Sequence, residues 1–142
     1  MKQSEIYRII DANANRCREA LRVIEDYMRF CHEDARIAAR LKRERHRIAS
    51  NCDAILRENL KGLKARRIAT DPGRDSRLAS EVERREWLDV LLSNFRRAEE
   101  SLRVLEEVTK LIEPALSRRF KNSRFRVYDL EKTCLISLSK KL

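Results

Sequence analysis

The chain has 142 residues, with 33 Lys and Arg against 23 Asp and Glu, so its formal net charge is +10. This length suits one domain with its own core, and we treat residues 1–142 as a single domain. The basic excess attracts polyanions and small phosphorylated molecules alike. No apolar run exceeds three residues, and the N-terminus lacks the apolar segment of a signal peptide. We therefore expect neither a membrane span nor export, and a cytoplasmic location.

The cysteines do not form a metal-binding or disulfide pattern. The chain has no Cys-x-x-Cys pair and only two histidines to accompany the four cysteines, which are Cys17, Cys31, Cys52 and Cys134. We therefore expect small buried thiols, and the sequence leaves the residues of any metal site unknown.

The scarcity of helix-breaking residues predicts long helices. The only glycines and prolines are Gly62, Pro72, Gly73 and Pro114. Apolar residues from position 10 to position 31 recur at helical spacing, which predicts a helix from Ser4, as N-cap, to Cys31. A second helix should follow the acidic residues 33–34 and run to Leu60. The third and fourth are expected at about 78–112 and 114–140, with Pro114 in the first turn.

An internal repeat organises these helices. Residues 13–26 and 94–107 share seven of fourteen residues at an offset of 81, and residues 40–47 and 119–126 share four of eight at an offset of 79. The repeated unit thus spans two consecutive helices. The sequence predicts an all-α four-helix bundle built from two repeated helical hairpins, about 4–60 and 78–140, joined by a loop at 61–77.

A repeated asparagine lies in the apolar stripe of each copy. Asn13 and Asn94 fall among core positions of their helices, with Arg16 and Arg97 at the edge of the same stripe. A buried amide needs partners, since leaving it unpaired costs about 1–3 kcal/mol. Two interpretations remain open. The asparagines bond each other and fix helix register, or they line a cavity and present a donor and an acceptor to a heterocyclic base.

Repeated charged residues divide into two groups. Arg45 and Arg124 are phosphate candidates, because a guanidinium binds oxyanions bidentately. His46, a candidate base, is replaced by Phe125 in the second copy, so we expect this ring to be packed in at least one copy. A second group falls on the opposite half of each helix and is expected to face solvent or another subunit: Arg22, Glu25, Asp26, Arg103, Glu106 and Glu107.

Several strings together resemble a known family. They are RIIDANANR (8–16), EALRVIEDYMRF (19–30), Arg45-His46, SNFRRAEESLRVLEE (93–107) and RFRVYDLE (124–131). They resemble the helical hydroxymethylpyrimidine-phosphate kinase of thiamine biosynthesis over nearly the whole chain. Arg66-Arg67 and Asp71-Pro72-Gly73 keep part of that family's loop. In that family the domain often precedes a thiamine-phosphate synthase barrel, which 142 residues cannot also hold. The resemblance therefore implies a free-standing kinase domain, with a separate synthase as a partner.

The resemblance also implies an activity and its residues. The implied reaction converts hydroxymethylpyrimidine phosphate to its pyrophosphate with ATP and Mg²⁺. Asp71, Arg45 and Arg124 are the expected catalytic residues, with Asp71 as either a Mg²⁺ ligand or a phosphate-loop residue. The expected substrate-binding residues are Asn13, Arg16, Asn94, Arg97, His46 and Gly73. Which copy holds the pyrimidine and which holds the nucleotide stays open.

The composition is compatible with this chemistry. A phosphate monoester is already ionised near neutral pH, since its second pKa is about 6, so no Ser-His pair is needed to activate it. Phosphoryl transfer requires positioning, Mg²⁺ and cationic groups, which an Arg-rich helical protein supplies. The sequence has no Gly-rich phosphate loop, so a nucleotide site would be built from side chains and helix ends.

Two other classes of function compete with the kinase. A nucleic-acid-binding module would explain the charge, but the basic residues alternate with acidic ones and lack aromatic or Gly-Arg interleaving, so nucleic acid is the weaker interpretation. A non-catalytic helical interaction module would work with a separate thiamine-phosphate synthase, or close as a two-fold homodimer. Thermal stabilisation by a pyrimidine phosphate or ATP-Mg²⁺ distinguishes the kinase from both.

Overall fold

The computed structural model describes residues 2–76, 84 and 86–141. Within these ranges the chain forms five α-helices and one 3₁₀ turn, and no strand is present there. The predicted all-α class is therefore confirmed. None of the described helices is both long and apolar enough to cross a membrane. The helices are α1 (Gln3–Phe30), α2 (Ala35–Leu56), α3 (Lys61–Ala65), α4 (Trp87–Thr109) and α5 (Pro114–Ser139), and the 3₁₀ turn covers Glu58–Leu60.

Local signals explain where α2 and α5 begin. α2 follows Asp34, whose Oδ1 accepts a hydrogen bond from the Ile37 N–H at 3.0 Å. This bond satisfies a free N–H of the first turn and holds the pKa of Asp34 below its ordinary value. α5 begins at Pro114, as predicted. The predicted N-cap at Ser4 is wrong, because α1 already includes Ser4 and has Lys2 at its N-cap without a side-chain hydrogen bond.

The connection between the two halves is more structured than the predicted loop at 61–77. α2 ends at Leu56, before the predicted end at Leu60, and Leu60 turns the chain with a left-handed φ of 58°. α3 then forms inside the expected loop and lies against α1. α4 begins at Trp87 after the extended residue Glu86, whereas Leu78, its predicted start, lies outside the described residues.

Each of the four long helices packs against two others, in the cyclic order α1, α2, α5, α4. The centroid of the Tyr27 ring, near the end of α1, lies 4.9 Å from the centroid of the Trp87 ring, at the start of α4. His32, just after α1, hydrogen-bonds Ser137 near the end of α5. Neighbouring helices are therefore antiparallel, and the α2–α5 contact is the least extensive of the four. The largest fully buried core side chains include Ile10, Leu21, Ile24, Leu41, Ile48, Phe95, Leu102 and Phe120.

One buried ion pair recurs in both repeat copies. Arg45 Nε donates to Glu25 at 2.7 Å, and Arg124 Nε donates to Glu106 at 3.0 Å. The exposed fractions of Glu25 and Glu106 are only 3% and 5%. The expectation that these glutamates face solvent is therefore wrong. α2 and α5 cover them and supply one guanidinium to each, which compensates for the lost hydration.

Three of the four cysteines are small buried core side chains, as expected. All four cysteines are free, and Cys17, Cys52 and Cys134 are buried, whereas Cys31 is exposed. Burial raises the pKa of Cys52 and of Cys134 to about 12. These thiols stay protonated at neutral pH, which makes them poor nucleophiles.

Candidate functional site

The two repeated asparagines occupy matching environments. Asn13 is buried and Asn94 is half-buried. Each amide nitrogen donates to the carbonyl one turn earlier in its own helix, Asn13 to Ile9 at 2.9 Å and Asn94 to Val90 at 2.8 Å. Each amide nitrogen therefore has an intrahelical partner, and the amides need not bond each other. The role of the asparagines in reading a pyrimidine stays a prediction.

The repeated arginines fall into exposed and paired groups. Arg16 and Arg97 are exposed on α1 and α4. Arg45 and Arg124 are largely covered and hold the buried glutamates described above. Arg22 and Arg103 are exposed, which confirms the prediction that they lie outside the core.

The ring at the His46 position is exposed in both copies. His46 lies on the outside of α2, and 55% of its counterpart Phe125 is exposed. The expectation that this ring is packed in at least one copy is wrong. Phe125 instead forms an edge-on contact with Tyr128, 5.9 Å between centroids, and the Arg124 guanidinium lies 5.1 Å from the Phe125 ring.

The loop residues Asp71 and Gly73 belong to one exposed turn. The Gly73 N–H donates to Asp71 Oδ1 at 2.9 Å, and the Arg74 N–H donates to the Asp71 carbonyl at 3.2 Å. The Asp71 carboxylate thus stabilises its own turn. The structure does not bring this turn into contact with Arg45 or Arg124, whose carboxylate partners are Glu25 and Glu106.

A polar cleft runs along the α1–α2 side of the molecule. A depression of about 380 Å³ and a neighbouring one of about 170 Å³ share Asn15 and Arg18 in their walls. We call the two together the α1–α2 cleft. α1 contributes residues on successive turns of one face, and Arg45 is the only predicted site residue in the cleft walls that the structure describes. The polar and charged residues of these walls are Asp11, Asn15, Arg18, Glu19, Arg22, Arg45, Asp53, Arg57 and Arg66.

The inner end of the cleft depends on the contact between α1 and α3. Arg66, just after α3, donates from Nη2 to Asp11 Oδ1 at 2.9 Å and from Nε to Oδ2. This hydrogen bonding raises the pKa of the Arg66 guanidinium. Gly62 allows the close approach, because a Cβ there would lie 3.2 Å from both Asp11 Oδ1 and a Leu56 methyl carbon. The cleft is thus built by long-range contacts.

Arg18 differs from the other cleft arginines. The others pair with carboxylates: Arg22 with Asp26, Arg45 with Glu25, Arg57 with Asp53 and Arg66 with Asp11. In the described part of the chain no carboxylate pairs with Arg18. Arg18 lines both depressions together with Asn15.

The second copy does not reproduce this cleft. At the offset of 81, Asp11 is replaced by Leu92, Asn15 by Arg96 and Arg18 by Glu99. Burial, and next a hydrogen bond with Glu131, raise the pKa of Glu99 to about 8. A carboxyl pair therefore stands where the first copy has Arg18, so the second copy does not repeat the arginine of the cleft.

Our sequence reasoning missed Asp11, Asn15 and Arg18 as site residues. Apart from His46, Asp71 and Gly73, it selected residues that the two copies share, which favours positions needed by the fold. Differences between the copies were the more useful signal. Asp11 and Asn15 lie in the string at residues 8–16, and the second copy has other residues at these two positions. Arg66 was named only as part of the loop that resembles the family's loop, and its pairing with Asp11 depends on tertiary packing.

Comparison with known proteins supports a family assignment. The ThiD2 family model matches residues 8–133. The chain is 42% identical over 129 residues to a thiamine-phosphate synthase of Nostoc punctiforme, covering 91% of this chain and 35% of that protein. It is 39% identical over 130 residues to a thiamine-phosphate synthase of Synechococcus sp., covering 92% and 35%. The chain thus spans about a third of the length of these curated relatives. No solved structure matches significantly. The chain belongs to the ThiD2 family.

Proposed function

We propose that this chain is a kinase of thiamine biosynthesis that converts hydroxymethylpyrimidine phosphate to its pyrophosphate with ATP-Mg²⁺. We place its phosphate-binding site in the α1–α2 cleft. The biosynthetic context is supported by relatives that are thiamine-phosphate synthases. The observation that carries the assignment to the cleft is Arg18, an arginine without a carboxylate partner among the described residues, in a concave wall beside Asn15.

The proposed reaction needs little acid–base chemistry. A phosphate oxygen of the substrate attacks the γ-phosphorus of ATP, the new P–O bond forms, and the bond from γ-phosphorus to the β–γ bridging oxygen breaks to release ADP. The attacking oxygen is already ionised, because the second pKa of a phosphate monoester is about 6. The alcohol would need a general base, so we expect little use of it. Cationic side chains would stabilise the developing charge.

Residues of the cleft fit these requirements. Arg18 and Arg45 would hold phosphate oxygens, and the ion pair with Glu25 keeps the Arg45 guanidinium at the cleft wall. Asp11 and Asp53 carry the oxygen donors that Mg²⁺ prefers, as does the Asn15 amide, but the two carboxylates already pair with Arg66 and Arg57 and would have to exchange these arginines for the ion. Mg²⁺ usually takes one or two carboxylates together with substrate phosphates. When bound, Mg²⁺ would neutralise charge on the phosphates.

The remaining predicted site residues keep their proposed roles at other places. Asn13 or Asn94 would read the aminopyrimidine edge, and Asp71 with Gly73 would close over phosphates from the connecting turn. Of the other proposed ligands, Arg16, His46 and Arg97 are exposed, whereas Arg124 is largely covered and pairs with the buried Glu106.

We also propose that the four long helices are a bundle of two equivalent hairpins, α1–α2 and α4–α5. Matching contacts support this architecture. The Asn13 and Asn94 amides bond equivalent carbonyls, and Arg45–Glu25 has its counterpart in Arg124–Glu106.

A coupled assay tests the kinase. Purified protein is incubated with ATP-Mg²⁺ and either the pyrimidine alcohol or its monophosphate, and ADP is followed. We expect ADP from the monophosphate only, and Arg18→Ala should lower kcat/KM about ten- to hundredfold. Arg118→Ala, an exposed α5 position outside the cleft, is the control and should be unchanged. Absence of ADP from the monophosphate would overturn the kinase, and equal rates with the alcohol would overturn the explanation of its specificity.

One observation favours a non-catalytic interaction module as the second candidate. Phe125 and Tyr128 are exposed on α5 beside Arg124, and aromatic residues with Arg are enriched at protein interfaces. Such a module would bind a separate thiamine-phosphate synthase or form a homodimer. Thermal shift separates the two functions. A kinase is stabilised by the pyrimidine phosphate or ATP-Mg²⁺, whereas the module responds to neither and shows its dimer or complex by light scattering.

A further inference from the structure

The α2–α5 side of the molecule carries a groove apart from the α1–α2 cleft. Two depressions there, about 350 Å³ and about 180 Å³, share Arg40 and lie where the helix–helix contact is least extensive. We call them together the α2–α5 groove. Apolar side chains lie between its charged residues, including Ile136, of which 45% is exposed. The other apolar wall residues, Ile37 and Leu130, are buried, so among the described wall residues Ile136 provides the exposed apolar surface between charged side chains.

The charges of this groove are unevenly compensated. Arg40 pairs with Asp129 at 2.8 Å, and Arg47 and Arg126 both bind Glu44 Oε2, at 2.9 and 2.8 Å. In the described part of the chain no carboxylate pairs with the remaining cations of the groove, which are Arg36, Arg43 and Lys140. An occupant that supplies carboxylates would therefore complement the surface.

The other end of the same helix pair provides an internal comparison. A depression of about 380 Å³ there contains Lys61 and Glu58, the counterparts of Lys140 and Ser137 at the offset of 79. Lys61 pairs with Glu58 at 2.8 Å. At that end the chain supplies the carboxylate itself. In the α2–α5 groove Ser137 replaces it, and its hydroxyl donates to Asp34 instead, so Lys140 lacks such a partner.

We propose that the α2–α5 groove docks an acidic amphipathic helix of another polypeptide. Arg36 and Arg43 lie two turns apart on one face of α2, about 10.5 Å along the helix, which matches carboxylates at i and i+7 of the docked helix. Its apolar face would cover Ile136. Ile136 offers an apolar contact that a helix with an apolar face can cover and a phosphate backbone cannot, which favours a peptide over RNA.

Fluorescence anisotropy with the full chain tests the docking. The probe is a labelled synthetic helix with leucines on one face and glutamates at i and i+7, compared with a scrambled peptide of the same composition and with labelled polyuridylate. The groove variant is Arg36→Glu/Arg43→Glu. The control variant, Arg29→Glu/Lys42→Glu, has the same net charge and changes exposed residues outside the groove walls.

We expect the amphipathic probe to bind more tightly than the scrambled peptide, and the groove variant to weaken it about tenfold or more while the control variant does not. Equal loss in both variants would show a general charge effect and overturn the proposal. Binding of polyuridylate alone, or no difference between the two peptides, would overturn it as well. Kinase activity is not involved in this readout, so failure of the proposed function leaves the result interpretable.

Discussion

Arg45 holds the buried carboxylate of Glu25 through a 2.7 Å hydrogen bond from Nε, and a second bond from Nη2 measures 3.4 Å. Arg124 and Glu106 form the same pair in the second copy. Each pair joins two long helices, α1 to α2 and α4 to α5. Because both partners are largely removed from solvent, loss of one leaves the other uncompensated.

Arg45→Met should therefore destabilise the protein strongly. It leaves the Glu25 carboxylate buried without its cation, which costs about 3–5 kcal/mol of unfolding free energy. Urea denaturation measures the loss. The double variant Glu25→Leu/Arg45→Met should recover much of it, because no charge remains buried. Arg22→Met, which breaks an exposed pair with Asp26, should cost about 1 kcal/mol or less. Similar losses for both single variants would contradict this account.

Gly62→Ala should disturb the cleft through steric contact. The new Cβ would lie 3.2 Å from Asp11 Oδ1 and from a Leu56 methyl carbon, so these side chains or α3 must shift by a few tenths of an ångström. We expect a loss of about 1–2 kcal/mol in unfolding free energy. Gly73→Ala is the matched control, because its Cβ would lie 3.5 Å from Asp71 Oδ1, an ordinary contact. If both glycine variants have the same urea midpoint, the close approach of Asp11 and Leu56 to Gly62 does not contribute to stability.

Glu33→Gly should stabilise the turn between α1 and α2. Glu33 has a left-handed φ of 57°, which disfavours residues with a Cβ. Glycine in this position after a helix removes the strain, and we expect a gain of about 0.5–1 kcal/mol. Glu33→Ala removes the same charge but keeps the Cβ, so it separates charge from conformation. Equal melting temperatures of the two variants would assign any gain to charge.

Stability should fall as pH rises, because of Glu99. Burial raises its pKa from 4.5 to about 8 in the folded state. The folded form binds the proton more tightly than the unfolded form, so this contribution is complete below about pH 4.5 and is lost as pH approaches and passes 8. After allowance for partial solvent screening we expect about 1–2 kcal/mol. Urea midpoints between pH 5 and 9 measure it.

Glu99→Gln and Glu131→Gln provide the controls for this pH dependence. Glutamine at either position removes one titrating carboxyl of the pair, so the loss of stability above neutral pH should shrink in both variants. Glu100→Gln changes an exposed neighbour and should keep the wild-type profile. Parallel profiles for all four proteins would show that the Glu99–Glu131 pair does not set the pH dependence.

The sequence by itself determined the all-α class, the start of α5 at Pro114 and the burial of Asn13. These features follow from local chemistry, since breaker residues end helices and a period of 3.6 residues selects the inner face. Only the tertiary structure decided that Glu25 and Glu106 are buried and that Arg66 reaches Asp11. It also decided that Arg18 has no carboxylate partner in the described chain. The physical reason is that a helical wheel ranks positions on one helix, whereas burial and pairing of a charge depend on which neighbouring helix covers it and which side chains that helix supplies.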